Sequence, residues 1–98
     1  MLDFPEIGHI AAAAARLSLG DKNVLRGFAE PIIDPEGRDA VRVTIVVTPN
    51  AEARIDGDAL LQTLLQINKK LRQAGEERQS VVYYTTEEEL AEIDDPES

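Results

Sequence analysis

Between Ala40 and Thr48 apolar and polar residues alternate. Val41, Val43, Ile45 and Val47 fall on one side, with Arg42, Thr44 and Thr48 on the other. A period of two built from β-branched residues predicts a strand with one buried and one largely wet face. Val46 interrupts the polar side, which predicts partial cover there. The remaining apolar positions read as elements arranged around this strand.

From Asp3 or Phe4 to about Leu19 the spacing becomes helical. Ile7, Ile10, Ala14 and Leu17 share one stripe, and Ala11–Ala15 has high helix propensity. Asp3 suits an N-cap, Pro5 a first turn, Glu6 the positive end of the dipole, and Gly20 a stop. The small alanines predict a helix lying close against a sheet. Asn23–Asp34 reads as a β-like arm despite Gly27 and Pro31; since proline cannot donate to a ladder, the arm belongs at an edge. The polar turn Asp34–Asp39 then closes a hairpin onto Ala40–Thr48.

Pro49–Ile55 reads as a polar loop. Asp56 or Asp58 caps a second long helix ending near Ala74, just before Gly75. Leu60, Leu64, Ile67 and Leu71 form its stripe, which Leu61 and Leu65 widen to about half the circumference. Glu76–Gln79 is a loop and Ser80–Thr85 a third strand. Thr86 with Glu89 matches a capping box that opens a short helix through Leu90 and Ile93. The order α-β-β-α-β-α implies a small α+β domain, a three-stranded mixed sheet with helices packed mainly on one face. Ala40–Thr48 is placed centrally, antiparallel to the first arm and parallel to the third strand across the helical crossover. A sheet with Asn23–Asp34 in the centre is the alternative, and Pro31 argues against it.

At 98 residues the chain is expected to form one domain, with a folded body over about residues 3–93 and a frayed acidic end at Asp94–Ser98. Phe4, Phe28, Tyr83 and Tyr84 are its only aromatics, so the core must be aliphatic. The absence of cysteine removes disulfides, thiolate catalysis and cysteine-based zinc sites, and fits a reducing compartment. The first residues are acidic where a secretory signal needs positive charge, and the apolar run Ile10–Ala15 is far short of the ~20 residues of a membrane span. A soluble, cytoplasmic protein without a membrane partner is the expectation.

The net charge of −9 changes meaning once located. Seven acids and no base lie between Glu87 and Glu97; the other residues carry twelve acids and ten bases, a balance of −2. A nearly neutral body with an acidic end is a poor nucleic-acid binder, because phosphate contacts need clustered Lys and Arg.

Candidate chemistry is sparse. His9, the only histidine, has Glu6 on the same helical face and reads as a surface residue. Asp56-Gly57-Asp58 resembles the opening of a calcium loop but lacks its later ligands, so helix capping explains it. Glu87–Glu89 reads as a solvated first turn rather than a cation site. Lys69, Lys70, Arg72 and Arg78 complement a helix C-terminus or the acidic end, with a docking patch as the alternative. No catalytic, cofactor-binding or metal-binding residue is singled out, and no cofactor is expected.

The exception is Val81-Val82-Tyr83-Tyr84, an uncharged run of high β-propensity with none of the lysines, prolines or bulges that normally blunt an edge. Such a strand is central, or covered by the chain's own helix, or paired with another chain. These four residues are the candidate partner-binding site, the partner being another protein or a second copy in a homodimer. A non-catalytic interaction or accessory module is therefore the favoured reading. The alternative is a small enzyme or ligand-binding domain using Asn50, Arg54 and Asp56, in the loop after the central strand.

Overall fold

A computed structural model describes the backbone of residues 1–94 and the side chains of residues 1–92. The elements are α1 (Phe4–Leu19), β1 (Val24–Ile33), β2 (Asp39–Val47), α2 (Pro49–Arg54), α3 (Gly57–Gln73), β3 (Gln79–Thr85) and α4 (Glu87–Asp94). The sheet order is β1-β2-β3, with β1 antiparallel and β3 parallel to the central β2. This is the expected α+β arrangement with one helix added. Of the expected frayed end, only Asp94, the last residue of α4, falls within the described residues.

Val41, Val43, Ile45 and Val47 are fully buried beneath α1 and α3, joined by Ile7, Ile67 and Leu71 in one aliphatic core. The other face of β2 is also largely covered. Val46 is fully buried, and Thr44 is 7% exposed between its register neighbours Phe28 and Tyr83.

α1 is started by the Asp3 carboxylate, which accepts from Glu6 N at 2.8 Å, and ended by Gly20 at φ 100°. Its buried face is Ile7, Gly8, Ala11, Ala12, Ala14 and Ala15, while Leu17 is 76% exposed. The stripe drawn through Leu17 is thus displaced, because the helix turns its smallest residues toward the sheet. Contact is closest where Gly8 crosses Gly27. A Cβ on Gly8 would lie 2.7 Å from Gly27 O and 2.8 Å from Phe28 Cα, and one on Gly27 would lie 2.8 Å from Gly8 O. Gly27, an interruption in sequence terms, is what lets α1 settle onto β1. A register shift between Val24 and Arg26 is secured by Arg16, which donates to the carbonyls of Val24 and Leu25 at 3.3 and 3.1 Å.

The segment expected as the loop Pro49–Ile55 contains α2. Thr48 caps it by accepting from Ala51 N at 3.2 Å, Pro49 occupies the first turn, and Ala51 is buried. All the start signals were there; the segment simply lacks an apolar stripe. The capping box before α4 forms as expected. Glu89 N donates to the Thr86 hydroxyl at 3.2 Å, and Thr86 N donates to Glu89 Oε1 at 3.3 Å.

Candidate interaction surface

β3 has β2 on one side and no strand on the other among the described residues, so it is an edge and not a central strand. Val82 and Tyr84 face the helices and pack against the core, in register with Val43 and Ile45. Val81 and Tyr83 point to the opposite face, where Tyr83 is 52% exposed. The four predicted residues therefore lie on two surfaces, and what they share is the uncharged backbone edge. The Tyr84 hydroxyl is buried without a hydrogen-bond partner among the described residues. Burial raises its pKa; the neighbouring Thr63 hydroxyl, which itself donates to Ala59 O at 2.8 Å, acts in the opposite direction.

Beside this edge lies α3. Asp56 caps it, its carboxylate accepting from Ala59 N at 2.8 Å. The helix buries Thr63, Ile67 and Leu71, and leaves Leu60 and Leu64 half-buried. Leu61 and Leu65, expected to widen the core stripe, are each 54% exposed. Leu60, Leu61 and Leu64 instead border an apolar depression of about 390 Å³, which on the β3 side is lined by the helix-facing Val82 and Tyr84 and by the strand edge at Ser80 and Val81. The signal for these surface leucines was the width of the stripe, which exceeds what one packing face requires.

The open face of the sheet carries a second groove, of about 720 Å³, beneath α4. Its cations are already engaged. Arg42 pairs with Glu30 at 2.9 Å, and Arg26 pairs with Glu87 at 3.0 Å while lying 5.3 Å from the centroid of the Phe28 ring. The Glu87 carboxylate is accordingly held below its usual pKa, first by the hydrogen bond from Arg26. Glu87 and Glu89, two of the three acids considered as a cation site, are thus committed to Arg26 and to Thr86.

The ligand-binding alternative is dispersed. Asn50 and Arg54 lie on α2, and the Asp56 carboxylate is spent on capping. Arg54 borders a depression of about 340 Å³ with Ser18, Asn23 and Ile55, but neither Asn50 nor Asp56 lines it. His9 is exposed on α1. The basic cluster is also divided, with Lys69, Lys70 and Arg72 exposed at the end of α3 while Arg78 turns inward.

Arg78 meets the acid that periodicity could not find. Glu76 is 2% exposed and accepts from the Arg78 backbone N, Nε and Nη2 at 2.8–2.9 Å and from Leu2 N at 3.1 Å. Arg78 also donates to Leu2 O at 3.0 Å and lies 5.0 Å from the centroid of the Phe4 ring. The Glu76 pKa is lowered to about 2, chiefly by the Arg78 side chain, against the opposing effect of burial. These contacts fasten the start of the chain to the α3–β3 connection.

Among the described residues no helix is long and apolar enough to cross a membrane, and no three His, Asp or Glu side chains gather as a metal site. Comparison with family models, with curated proteins and with solved structures finds no match.

Proposed function

We propose that the chain is a non-catalytic interaction module that takes another protein chain along the β3 edge and the leucine face of α3. The observation that carries this is the coincidence of two features on one side of the molecule. The sheet ends in an uncharged strand, and the helix next to it exposes Leu61 and Leu65. An unpaired edge supplies a row of backbone donors and acceptors, and the adjoining apolar wall can bury side chains of whatever pairs there. The ligand-binding reading has less support, since Asn50, Arg54 and Asp56 do not converge on one cavity.

The test is site-specific photo-crosslinking in cells. A photoreactive amino acid at Leu61 is compared with one at Glu36, an exposed residue of the β1–β2 turn. Protein adducts are expected at position 61 and not at 36. Equal labelling at both, or none at 61, refutes the module reading.

A further inference from the structure

The surface described above also suggests who its occupant is. Asp58, Leu61, Leu65, Asn68 and Arg72 step along α3 by three, four, three and four residues. That is the spacing of a seam between two packed helices. Asp58, Leu61, Leu65 and Arg72 are exposed and Asn68 is half-buried, so the seam is separate from the buried line of Thr63, Ile67 and Leu71. Its ends carry opposite charges, Asp58 seven residues before Leu65 and Arg72 seven residues after it. Neither side chain is in an ion pair among the described residues.

A seam with this symmetry is complementary to itself when turned around. If two copies of α3 pack antiparallel with Leu65 at the centre, each Asp58 faces the other copy's Arg72, and Leu61 faces Asn68. The same two-fold axis can bring the β3 edges together. In a strand–helix–strand crossover with parallel strands, the helix runs opposite to the strand that follows it. Two antiparallel copies of β3 therefore carry two antiparallel copies of α3 above them. Strands pair at about 4.8 Å and helices pack at about 8–10 Å, so helices seated just inside the two edges meet across the axis. Resting on the module reading, we propose that the occupant is a second copy of this chain, in a two-fold dimer joined by β3–β3 pairing and an antiparallel α3–α3 seam. The sheet then runs through six strands with β1 at both ends, and an isologous contact of this kind closes at two copies.

The experiment is sedimentation velocity on the intact chain from 1 to 200 µM (about the range for weak to moderate self-association), with circular dichroism to verify folding. The expected wild-type species is a dimer of twice the 10.8 kDa chain mass. Leu65→Lys places two ammonium groups at the axis and should raise the dimer dissociation constant at least about tenfold. Asp58→Arg and Arg72→Asp should each weaken the dimer, while the double variant Asp58→Arg/Arg72→Asp restores it, because the swapped charges face one another again. A dimer indifferent to Leu65→Lys and to the single swaps lies elsewhere and overturns the proposal. A wild-type monomer throughout the range also overturns it. If photo-crosslinking at Leu61 then still captures a different protein, the module reading survives with a foreign occupant; if it captures nothing, both fail.

Discussion

Replacing Glu76 by glutamine should remove stability at neutral pH and leave little difference in acid. The carboxylate is buried, yet Arg78 and two backbone amides hold it charged, with a pKa lowered from 4.5 to about 2. A folded-state pKa below the unfolded one means that the unfolded chain binds the proton first as pH falls. The stabilisation is therefore complete above about pH 4.5 and is lost on the way down to about pH 2. The full difference corresponds to about 3 kcal/mol, of which roughly 1.4 remains at pH 3 and under ~0.5 at pH 2. Urea unfolding followed by circular dichroism, on wild type and Glu76→Gln at pH 7, 4 and 3, reads it directly. Other carboxylates titrate in both proteins, so the difference between the two curves isolates Glu76. Arg78→Ala should cost about 3–5 kcal/mol at pH 7, since it strands a buried charge, and should flatten the acid dependence assigned to Glu76. A gap between wild type and Glu76→Gln that stays constant from pH 7 to pH 3 would refute the reasoning.

Gly8→Ala should destabilise by about 3 kcal/mol, because its Cβ meets the backbone of Gly27 and Phe28, which cannot step aside as a side chain would. Gly57→Ala, where a Cβ meets nothing within 4 Å, should instead gain about 0.5 kcal/mol in the same denaturant assay. Glu52 of α2 lies beside Glu89 of α4, and a proton shared between the two carboxyls raises the Glu52 pKa while lowering that of Glu89. A raised carboxyl pKa contributes stability at low pH that is lost as pH rises. Glu52→Gln should therefore melt above wild type at pH 7, with the gap closing toward pH 4.

The strands and long helices were legible because each states its period within one segment. Val41 to Val47 alternate, Ile67 and Leu71 repeat at helical spacing, and the caps at Asp3, Asp56 and Thr86 sit where short-range hydrogen bonding requires them. What was illegible depends on partners distant in sequence. Gly8 has no visible role until Gly27 crosses it. Glu76 looks like one charge among several, and its burial depends on Leu2 and Phe4, brought to it by the way α1 lies across the sheet. α2 escaped for the opposite reason: its signals were local, but it buries only Ala51 and leaves no stripe. The candidate strand was found because missing charge is a local property, whereas its position at the edge is set by the strand order β1-β2-β3, which no single segment states.

The leucines of α3 show how a stripe can be read correctly in type and wrongly in use. A helix seated to bury the most leucine would hide Leu61 and Leu65; this one buries Thr63 and returns its hydroxyl to Ala59 O. Full burial of a leucine contributes roughly 1.5–3 kcal/mol, so two half-exposed leucines leave on the order of 2 kcal/mol unrealised in the single chain. That is appreciable against the ~5–15 kcal/mol of a typical domain. It also makes folding and association separable at this face. A charge at Leu65 removes little that the folded chain uses and much that a seam would use, whereas Ile67→Ala opens a cavity in the core at about 2–5 kcal/mol. A protein in which Leu65→Lys lowers the monomer's own stability as much as Ile67→Ala does would have its leucines in the core after all, and the surface argued for here would not exist.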